Sequence, residues 1–319
     1  MKSHLIYSDK YDFNFWGMSK IHPFDGLKFS KAWEIITKVY PDEIESLWIK
    51  PQNKVSDDML RKLHSTEYIT SLNKSSTIAK VIEIGITKYV PASLLHKVLI
   101  DPIKLATQGT ILAAEYALKH NEIAMNVGGG YHHAFAAHGE GFCFFADAVL
   151  SLVNSRDSGL LEKTDTVLMI DLDAHRGNGF ESVTENDATV KNFDMYGFQT
   201  YPGLHEGDPD KYPYMIPLKS GVKDDVYFNI LETELVKFLD ENEDAKLVYY
   251  NAGNDILDAD PLGGMSVSYD GVVKRDKFVI EQLRKRGIPA VVMTSGGYTK
   301  HSHELIAELA KTVVESGRS

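Results

Sequence analysis

The chain has 319 residues, of which 43% are apolar and 25% are charged, as in an ordinary soluble globular protein. A formal charge of −11 argues against direct nucleic-acid binding, which requires a surplus of cations. The single cysteine, Cys143, excludes a disulfide framework and suits a reducing compartment. With no signal-peptide core and no apolar run of about 20 residues, the sequence predicts a cytoplasmic enzyme or binding protein without a membrane span.

Helical and strand patterns alternate from about residue 100 onward. A helix is predicted from Asp101-Pro102, because proline suits the first helical position. Further helices are predicted from Asp224 or Asp225 and over about 270–286, from their amphipathic spacing. Four apolar runs of strand length complete the pattern, at 123–127, 166–170, 246–250 and 289–293.

Strands that alternate with helices favour an open parallel sheet covered by helices on both faces. The chain has no internal repeat and no flexible linker, so we predict one domain over residues 1–319. Each of the four predicted strands runs into a polar, glycine-rich segment. Because the carboxyl ends of parallel strands share one edge of a sheet, and ligands bind there, these segments are expected to converge on one cleft. The segments begin at Gly128, Asp171, Asn251 and Thr294.

The segment after the second of these strands carries Asp171, Asp173 and His175 at alternate positions. In extended backbone, alternate side chains point the same way, so two carboxylates and an imidazole share one side. A strand-end turn that is merely polar would explain the triplet as well. Asp255, at the end of another strand, adds a ligand, and Asp173, His175 and Asp255 then match the three protein ligands of a catalytic zinc site. Carboxylate and imidazole ligands suit Zn²⁺ or Fe²⁺.

A pair of histidines, His132 and His133, follows three glycines. Glycine lets the backbone adopt a positive φ and approach a ligand closely, and an imidazole can take up and return a proton near neutral pH. A carboxylate such as Asp171 would raise the pKa of one imidazole, whereas the neutral Asn178 could orient the other. An ordinary polar loop remains the simpler explanation of the pair taken alone.

Three further positions are candidates for contact with a substrate. Tyr298 follows two glycines, and its hydroxyl could donate to a developing oxyanion, although core packing is the commoner fate of a tyrosine. Phe142, after Gly141, and Tyr201 could form the aromatic walls of a narrow channel. For Cys143 and the two phenylalanines that follow it, burial ahead of the next element is the preferred interpretation.

In this order, the segments resemble the histone deacetylase family and its arginase–deacetylase fold, with the greatest likeness to the class IV branch. The family motifs appear as Gly128-Gly129-Gly130-Tyr131-His132-His133-Ala134, Gly141-Phe142-Cys143, Asp171-Leu172-Asp173-Ala174-His175, Ala252-Gly253-Asn254-Asp255 and Gly296-Gly297-Tyr298. Features of the class IV branch appear as Gly177-Asn178-Gly179, Leu262-Gly263-Gly264-Met265, Val273-Lys274-Arg275-Asp276 and Ile21-His22-Pro23-Phe24-Asp25. The resemblance covers nearly the whole chain.

The resemblance implies one domain built on an eight-stranded parallel sheet between helices. It implies Zn²⁺ on Asp173, His175 and Asp255, with metal-bound water attacking the amide carbonyl of an acylated lysine of a protein. A structural K⁺ is implied near the zinc strand, with Asp171 as one ligand and Asp194 as a second candidate. The class IV likeness further implies a preference for long-chain fatty-acyl groups over acetyl.

The same resemblance assigns roles to the polar groups around the metal. His133 would be the general base, and His132 would assist electrostatically or as an acid. Tyr298 would stabilise the tetrahedral oxyanion. Many relatives back both histidines with Asp, whereas Asn178 stands at the second position here, as in class IV.

Three alternatives stay open at this point. A small-molecule amidohydrolase that acts on acetylpolyamines would share the fold, and an arginase-like hydrolase would need two metals bridged by carboxylates. A non-catalytic protein that binds acyl-lysine would not need a proton acceptor. The sequence does not distinguish Zn²⁺ from Fe²⁺, and it does not give the substrate protein or the oligomeric state.

Overall fold

The structure of the protein is a computed structural model that describes residues 3–13, 25–204 and 212–318. Residues 21–24 of the N-terminal segment that resembles class IV lie outside the described residues. The strands are β1 (His4–Ile6), β2 (Trp48–Ile49), β3 (Ile123–Asn126), β4 (Val167–Asp171), β5 (Val190–Gly197), β6 (Met215–Leu218), β7 (Leu247–Asn251) and β8 (Ala290–Met293). All of them join one eight-stranded parallel sheet in the order β2-β1-β3-β8-β7-β4-β5-β6.

Helices connect the strands and cover both faces of the sheet. The helices that precede residue 100 are α1 (Lys28–Val39), α2 (Ile44–Leu47), α3 (Asp57–Leu60), α4 (Thr66–Ser71), α5 (Ser75–Val81) and α6 (Ala92–Leu95). The later ones are α7 (Asp101–His120), α8 (Asp147–Asp157), α9 (Asn178–Thr184), α10 (Asp224–Asp240), α11 (Tyr269–Arg286) and α12 (Ser302–Ser316). A 3₁₀-helix spans Gly85–Tyr89, and a π-helical turn spans His96–Ile100.

The four strands predicted from apolar runs are β3, β4, β7 and β8, and each begins and ends within one residue of the prediction. They lie side by side at the centre of the sheet, in the order β3-β8-β7-β4. The three predicted helices correspond to α7, α10 and α11. The π-helical turn runs directly into α7, so helical backbone already precedes Asp101-Pro102, the predicted start of this helix.

Alternate side chains of the central strands enter two apolar clusters, one on each face of the sheet. In β4, Leu168 and Ile170 belong to one cluster, and Val167 and Met169 belong to the other. All four are at most 2% exposed. Burial on both faces explains why this strand reads as a continuous apolar run. In β3, β4 and β7 the last residue of the strand is polar, and the other candidate residues of these segments follow it.

Candidate active site

The three predicted metal ligands meet at the carboxyl ends of β4 and β7, which are neighbouring strands. Nδ1 of His175 lies 3.1 Å from Oδ1 of Asp173 and 3.0 Å from Oδ2 of Asp255. One ligand atom from each residue lies within 4.8 Å of the others, and all three residues are buried. Among the described residues, this is the one group of three or more His, Cys, Asp or Glu side chains with such geometry.

Two carboxylates buried this close together disfavour each other's ionisation. Burial, followed by the charge of Asp173, raises the pKa of Asp255 to about 7. A divalent cation would compensate both negative charges, and oxygen and imidazole ligands suit Zn²⁺ and Fe²⁺. The donor set and its burial therefore fit a divalent metal.

Hydrogen bonds from neighbouring segments hold the two carboxylates. Oδ2 of Asp173 accepts from the Ser295 hydroxyl and from the backbone N–H of Gly296, each at 2.8 Å. Oδ1 of Asp255 accepts from the backbone N–H of Ala174 at 2.8 Å. A Cβ on Gly296 would lie 2.3 Å from Oδ2 of Asp255, so this position accepts only glycine.

The two histidines lie side by side, with ring centroids 4.0 Å apart, but they have different partners. Nδ1 of His132 lies 2.8 Å from Oδ2 of Asp171. Nδ1 of His133 lies 2.6 Å from Oδ1 of Asn178. Because an amide oxygen only accepts, His133 donates from Nδ1, and its Nε2 carries the free lone pair in the neutral ring.

The different partners separate the pKa values of the pair. Burial lowers the pKa of His132, but the carboxylates of Asp171 and Asp173 outweigh burial and raise it to about 9. Burial, together with His132 and His175, lowers the pKa of His133 well below its usual value. The site thus combines one imidazole that favours its charged form with one that favours its neutral form.

The loop that carries the histidines makes a sharp turn at two glycines, and hydrogen bonds to a buried carboxylate fix its backbone. Gly129 and Gly130 have φ of +75° and +82°, a conformation that glycine adopts without strain. The carboxylate of Asp147 accepts from the backbone N–H groups of Gly130 and Tyr131 at 3.0 and 2.9 Å. Asp147 is not among the predicted site residues, because an aspartate at the start of a helix, here α8, is typical of an ordinary helix N-terminus.

The two histidines, Asp173 and Tyr298 all line one cavity of about 40 Å³. The Tyr298 ring stands edge-on to the His175 ring, with centroids 6.3 Å apart, and its backbone N–H donates to Asp260 at 2.8 Å. The lining residues are Phe13, Phe29, Gly129, Gly130, Tyr131, His132, His133, Gly141, Phe142, Cys143, Asp173, Ser295, Gly296 and Tyr298.

Two of the three predicted channel residues, Gly141 and Phe142, line this cavity, and Tyr201 is not among its lining residues. The Tyr201 ring instead stands edge-on to His133, with centroids 5.0 Å apart, and its hydroxyl donates to Glu140. Tyr201 is 41% exposed, so it lies at the solvent side of His133. Gly141 has a φ of +48°, and a Cβ there would lie 2.7 Å from His133 Cδ2.

The two predicted potassium ligands, Asp171 and Asp194, are paired across β4 and β5. Both are buried. Oδ2 of Asp194 accepts from the backbone N–H of Gly177 at 2.9 Å, whereas its Oδ1 is buried without a hydrogen-bond partner. Burial and the nearby Asp171 raise the pKa of Asp194 well above its usual value. An unpaired buried oxygen beside a second carboxylate fits a cation ligand.

Comparison with known proteins decides the family. The Histone deacetylase domain model matches residues 22–315. The chain belongs to the histone deacetylase family. It is 36% identical over 316 residues to Histone deacetylase 2 of Arabidopsis thaliana, which covers 99% of this chain and 80% of that protein. It is 30% identical over 262 residues to Histone deacetylase HDAC1 of Drosophila melanogaster, which covers 77% of this chain but 48% of the fly protein.

The fold agrees with this assignment. The crystal structure of the HDA15 HD domain superposes with a TM-score of 0.75 at 18% identity, covering 98% of this chain and 90% of that one. The predicted arginase–deacetylase fold, with its eight-stranded parallel sheet, is therefore confirmed. Within the part of the chain that the structure describes, no helix is long and apolar enough to cross a membrane.

Several residues of this deacetylase-family site carry no signal in the sequence. Phe13 and Phe29 reach the cavity from the N-terminal region. The ammonium of Lys28 is buried and donates to the carbonyl oxygens of Ser295 and Gly297 at 2.9 and 3.4 Å. Burial lowers the pKa of Lys28 to about 8, although the site's aspartates oppose this. These contacts join segments more than 260 positions apart, so no local pattern reveals them.

Proposed function

We propose that the protein hydrolyses the amide of N6-acyl-lysine side chains of proteins, as a metal-dependent enzyme of the class IV branch. The observation that carries the proposal is the buried group of Asp173, His175 and Asp255, of which Asp173 lines one cavity together with the histidine pair and Tyr298. Zn²⁺ is the proposed metal, with Fe²⁺ as the alternative. When bound, the cation supplies Lewis acidity that polarises the amide carbonyl.

The two histidines are suited to different steps. His133 is held by Asn178 with Nε2 free to accept, and its lowered pKa keeps it neutral, so it takes the proton of the attacking water as general base. His132, held by Asp171, favours the charged form, so it assists electrostatically or donates a proton to the leaving amine. The different partners therefore match the different roles.

Tyr298 is the proposed donor to the oxyanion. It lines the same cavity as Asp173 and the histidines, and burial raises the pKa of its hydroxyl well above the usual value. The group therefore stays protonated and able to donate throughout the physiological pH range. A donor of this kind lowers the barrier because it is positioned before charge develops on the carbonyl oxygen.

The acyl group of the substrate is proposed to enter the apolar end of the cavity, where Phe13, Phe29 and Phe142 form the walls. The cavity of about 40 Å³ is small beside the roughly 300–1,000 Å³ of pockets for drug-sized ligands. It matches a short acyl group as it stands. A fatty-acyl chain, which the class IV likeness predicts, requires one of the aromatic rings to move aside.

Further parts of the proposal concern the ion, the partners and the location. K⁺ is the proposed structural ion at Asp171 and Asp194, where a buried oxygen has no partner. Basic, lysine-rich targets suit a chain with a formal charge of −11. The whole chain is proposed to act as one catalytic domain, and the single cysteine supports the cytoplasm as its location.

One substrate series tests the proposal. A single lysine peptide is prepared with acyl chains from acetyl to myristoyl, and kcat/KM is measured for each, beside acylated spermidine. We expect turnover of the peptides, abolished by His133→Ala and retained by His138→Ala, which alters an exposed histidine of the same loop. A higher kcat/KM for acylated spermidine would indicate a small-molecule amidohydrolase. Tight peptide binding without product would indicate a non-catalytic acyl-lysine binder.

A further inference from the structure

Arg275, in α11, is a completely buried cation that no part of the proposed chemistry uses. Its Nη1 donates to two backbone carbonyl oxygens, that of Leu172 at 3.0 Å and that of Gly253 at 2.6 Å. These two carbonyls belong to different segments, one following β4 and the other following β7. A single guanidinium nitrogen therefore joins the two segments from behind.

The two carbonyls lie next to the metal ligands in the chain. Leu172 stands between Asp171 and Asp173, and Gly253 precedes Asp255 by two positions. The last backbone hydrogen bond between the two strands runs from the Leu172 N–H to the Asn251 carbonyl oxygen at 3.0 Å. Beyond it, the Ala174 N–H links the segments by donating to Oδ1 of Asp255 at 2.8 Å. The bonds to Arg275 add a link between the two backbones where the ladder of β4 and β7 stops, after the Asp171–Asn251 pair.

The charge of Arg275 is balanced within the same cluster. Asp276 accepts from Nε of Arg275 at 2.9 Å, and its Oδ1 lies 2.8 Å from Nη2. The hydroxyl of Tyr250, in β7, donates to the same carboxylate at 2.5 Å. Buried ion pairs stabilise a fold poorly, since apolar residues of similar volume often do as well or better. The cluster is therefore better explained by what it positions than by stability alone.

We propose that Arg275 is a positioning residue that sets the separation of the Asp173–His175 segment from Asp255, and so tunes metal affinity. The inference rests on the proposed function, because it requires that these ligands hold a catalytic metal. Arginine suits the task because its planar, rigid guanidinium directs several donors at once. A lysine at this position would carry a point charge on its ammonium group. It could donate to one of the two carbonyl oxygens, but it could not also keep the hydrogen bonds that the guanidinium makes with Asp276.

The test measures metal affinity directly, by competition with a chelator for Zn²⁺ and, separately, Co²⁺. We expect Arg275→Met to raise the metal Kd by about 10-fold to 100-fold, the range found when groups behind metal ligands are removed. At saturating metal, kcat should fall at least as much while KM changes little, because misplacement acts on the transition state. Arg275→Lys should recover part of the affinity.

Tyr249→Phe is the matched control. It removes a buried hydrogen bond of β7, from the Tyr249 hydroxyl to Ser151 at 3.0 Å, that does not involve the ligand segments. It should lower Tm without changing the metal Kd. If Arg275→Met lowers Tm in the same way and leaves metal Kd and kcat unchanged, the inference is overturned. If Arg275→Met does not fold, the comparison of Arg275→Lys with wild type gives the same decision.

Metal affinity also separates this inference from the proposed function. Wild-type protein that binds one metal but turns over no acyl-lysine would refute the proposed function and leave Arg275 testable by Kd. A metal Kd that is unchanged in the Arg275 variants, in a protein that does deacylate, would refute the inference alone. Wild-type protein with no metal site would refute both.

Discussion

The two walls of the active-site cavity come from different parts of the chain. The metal wall is formed by Asp173, which lines the cavity, with Asp255 as its partner in the buried ligand group. Both lie within four residues of the strands that precede them, and backbone N–H groups donate to their carboxylates. On the apolar wall, Phe13, Phe29 and Phe142 come from separate segments. The centroids of the Phe13 and Phe29 rings lie 6.4 Å apart, and the Lys28 ammonium lies 5.5 Å from the centroid of the Phe29 ring. The metal wall is thus a set of mutually dependent buried ionisable groups, whereas the apolar wall is made of neutral aromatic rings.

This difference predicts how each wall responds to substitution. Removing one ligand takes away a donor that the bound cation requires, and loss of the cation leaves the remaining buried carboxylate without its compensating charge. Removing a ring from an apolar wall changes the space available and costs packing, but it leaves the chemistry intact. Substitutions at the metal wall should therefore abolish activity, whereas substitutions at the apolar wall should change selectivity.

The largest effect is expected for Asp255→Asn. The substitution removes one of two buried carboxylates, so we expect loss of most bound metal and a fall in kcat/KM of about 1,000-fold or more. Metal content by elemental analysis and turnover of an acyl-lysine peptide check this. Asp258→Asn, which alters an exposed carboxylate three positions on, is the control. Full activity of Asp255→Asn would exclude the metal centre.

A smaller effect is expected for Tyr298→Phe, which keeps the ring and removes the hydroxyl. Loss of a comparable oxyanion donor costs about 3–4 kcal/mol of transition-state stabilisation. We expect kcat to fall by about 10²-fold to 10³-fold with KM and metal content nearly unchanged. Tyr89→Phe, at a tyrosine that is 78% exposed, should behave as wild type. An equal rise in KM would instead assign Tyr298 to substrate binding.

Outside both walls, buried His64 links two points of the loop that runs from the histidine pair to α8. Its Nδ1 lies 3.0 Å from the Phe135 carbonyl oxygen, and its Nε2 accepts from the backbone N–H of Ala146 at 3.2 Å. Each nitrogen of the neutral His64 ring therefore has a hydrogen-bond partner, one as donor and the other as acceptor. Burial lowers the pKa of His64 from 6.5 to about 4.

The sign of the resulting pH dependence follows from the proton balance. Between pH 6.5 and about 4 the unfolded chain binds a proton at His64 that the folded chain does not, so stability falls as pH falls through this window. At pH 5 the loss is about 2 kcal/mol relative to pH 8. Urea unfolding at both pH values measures it, and His64→Gln should remove this part of the pH dependence. An identical pH dependence in the variant would contradict the assignment.

The smallest effect is expected at the apolar wall. Phe29→Ala enlarges the cavity, so the ratio of kcat/KM for a myristoyl-lysine peptide to that for an acetyl-lysine peptide should rise by about 10-fold, as for pocket contacts of this size. Ile36→Ala, at a buried residue of the same helix that does not line the cavity, should destabilise the protein comparably. An unchanged ratio in Phe29→Ala would place the acyl chain elsewhere.

The contrast between the metal wall and the apolar wall also explains which parts of the fold and the site could be predicted from the sequence. The central strands are apolar over their whole length and end in polar segments, so both the strands and the Asp173, His175 and Asp255 positions could be read locally. The outer strands could not, because β1 and β2 have three and two residues, and β5 mixes exposed Lys191 with buried Phe193. The short or mixed patterns do not distinguish these strands from loops.

The positions that escaped prediction share a physical cause. Phe13, Lys28 and Arg275 acquire their roles through contacts with distant segments. Arginine side chains are mostly exposed to solvent, so the sequence alone predicts that an arginine in a helix lies on the protein surface. Only the fold shows that Arg275 is buried, with Asp276 beside it. The roles of the site residues stay predictions until the substitutions above are made.

The place of β8 in the sheet has a consequence for synthesis of the chain. β8 is the last strand to be made, yet it lies between β3 and β7, and the segment after it supplies Ser295, Gly296 and Tyr298. Without β8, no strand joins β3 to β7, so the sheet order divides into β2-β1-β3 and β7-β4-β5-β6 with an open seam between them. A nascent or truncated chain ending before residue 290 therefore lacks both the seam-closing strand and one side of the catalytic centre, and should remain inactive however long it is incubated.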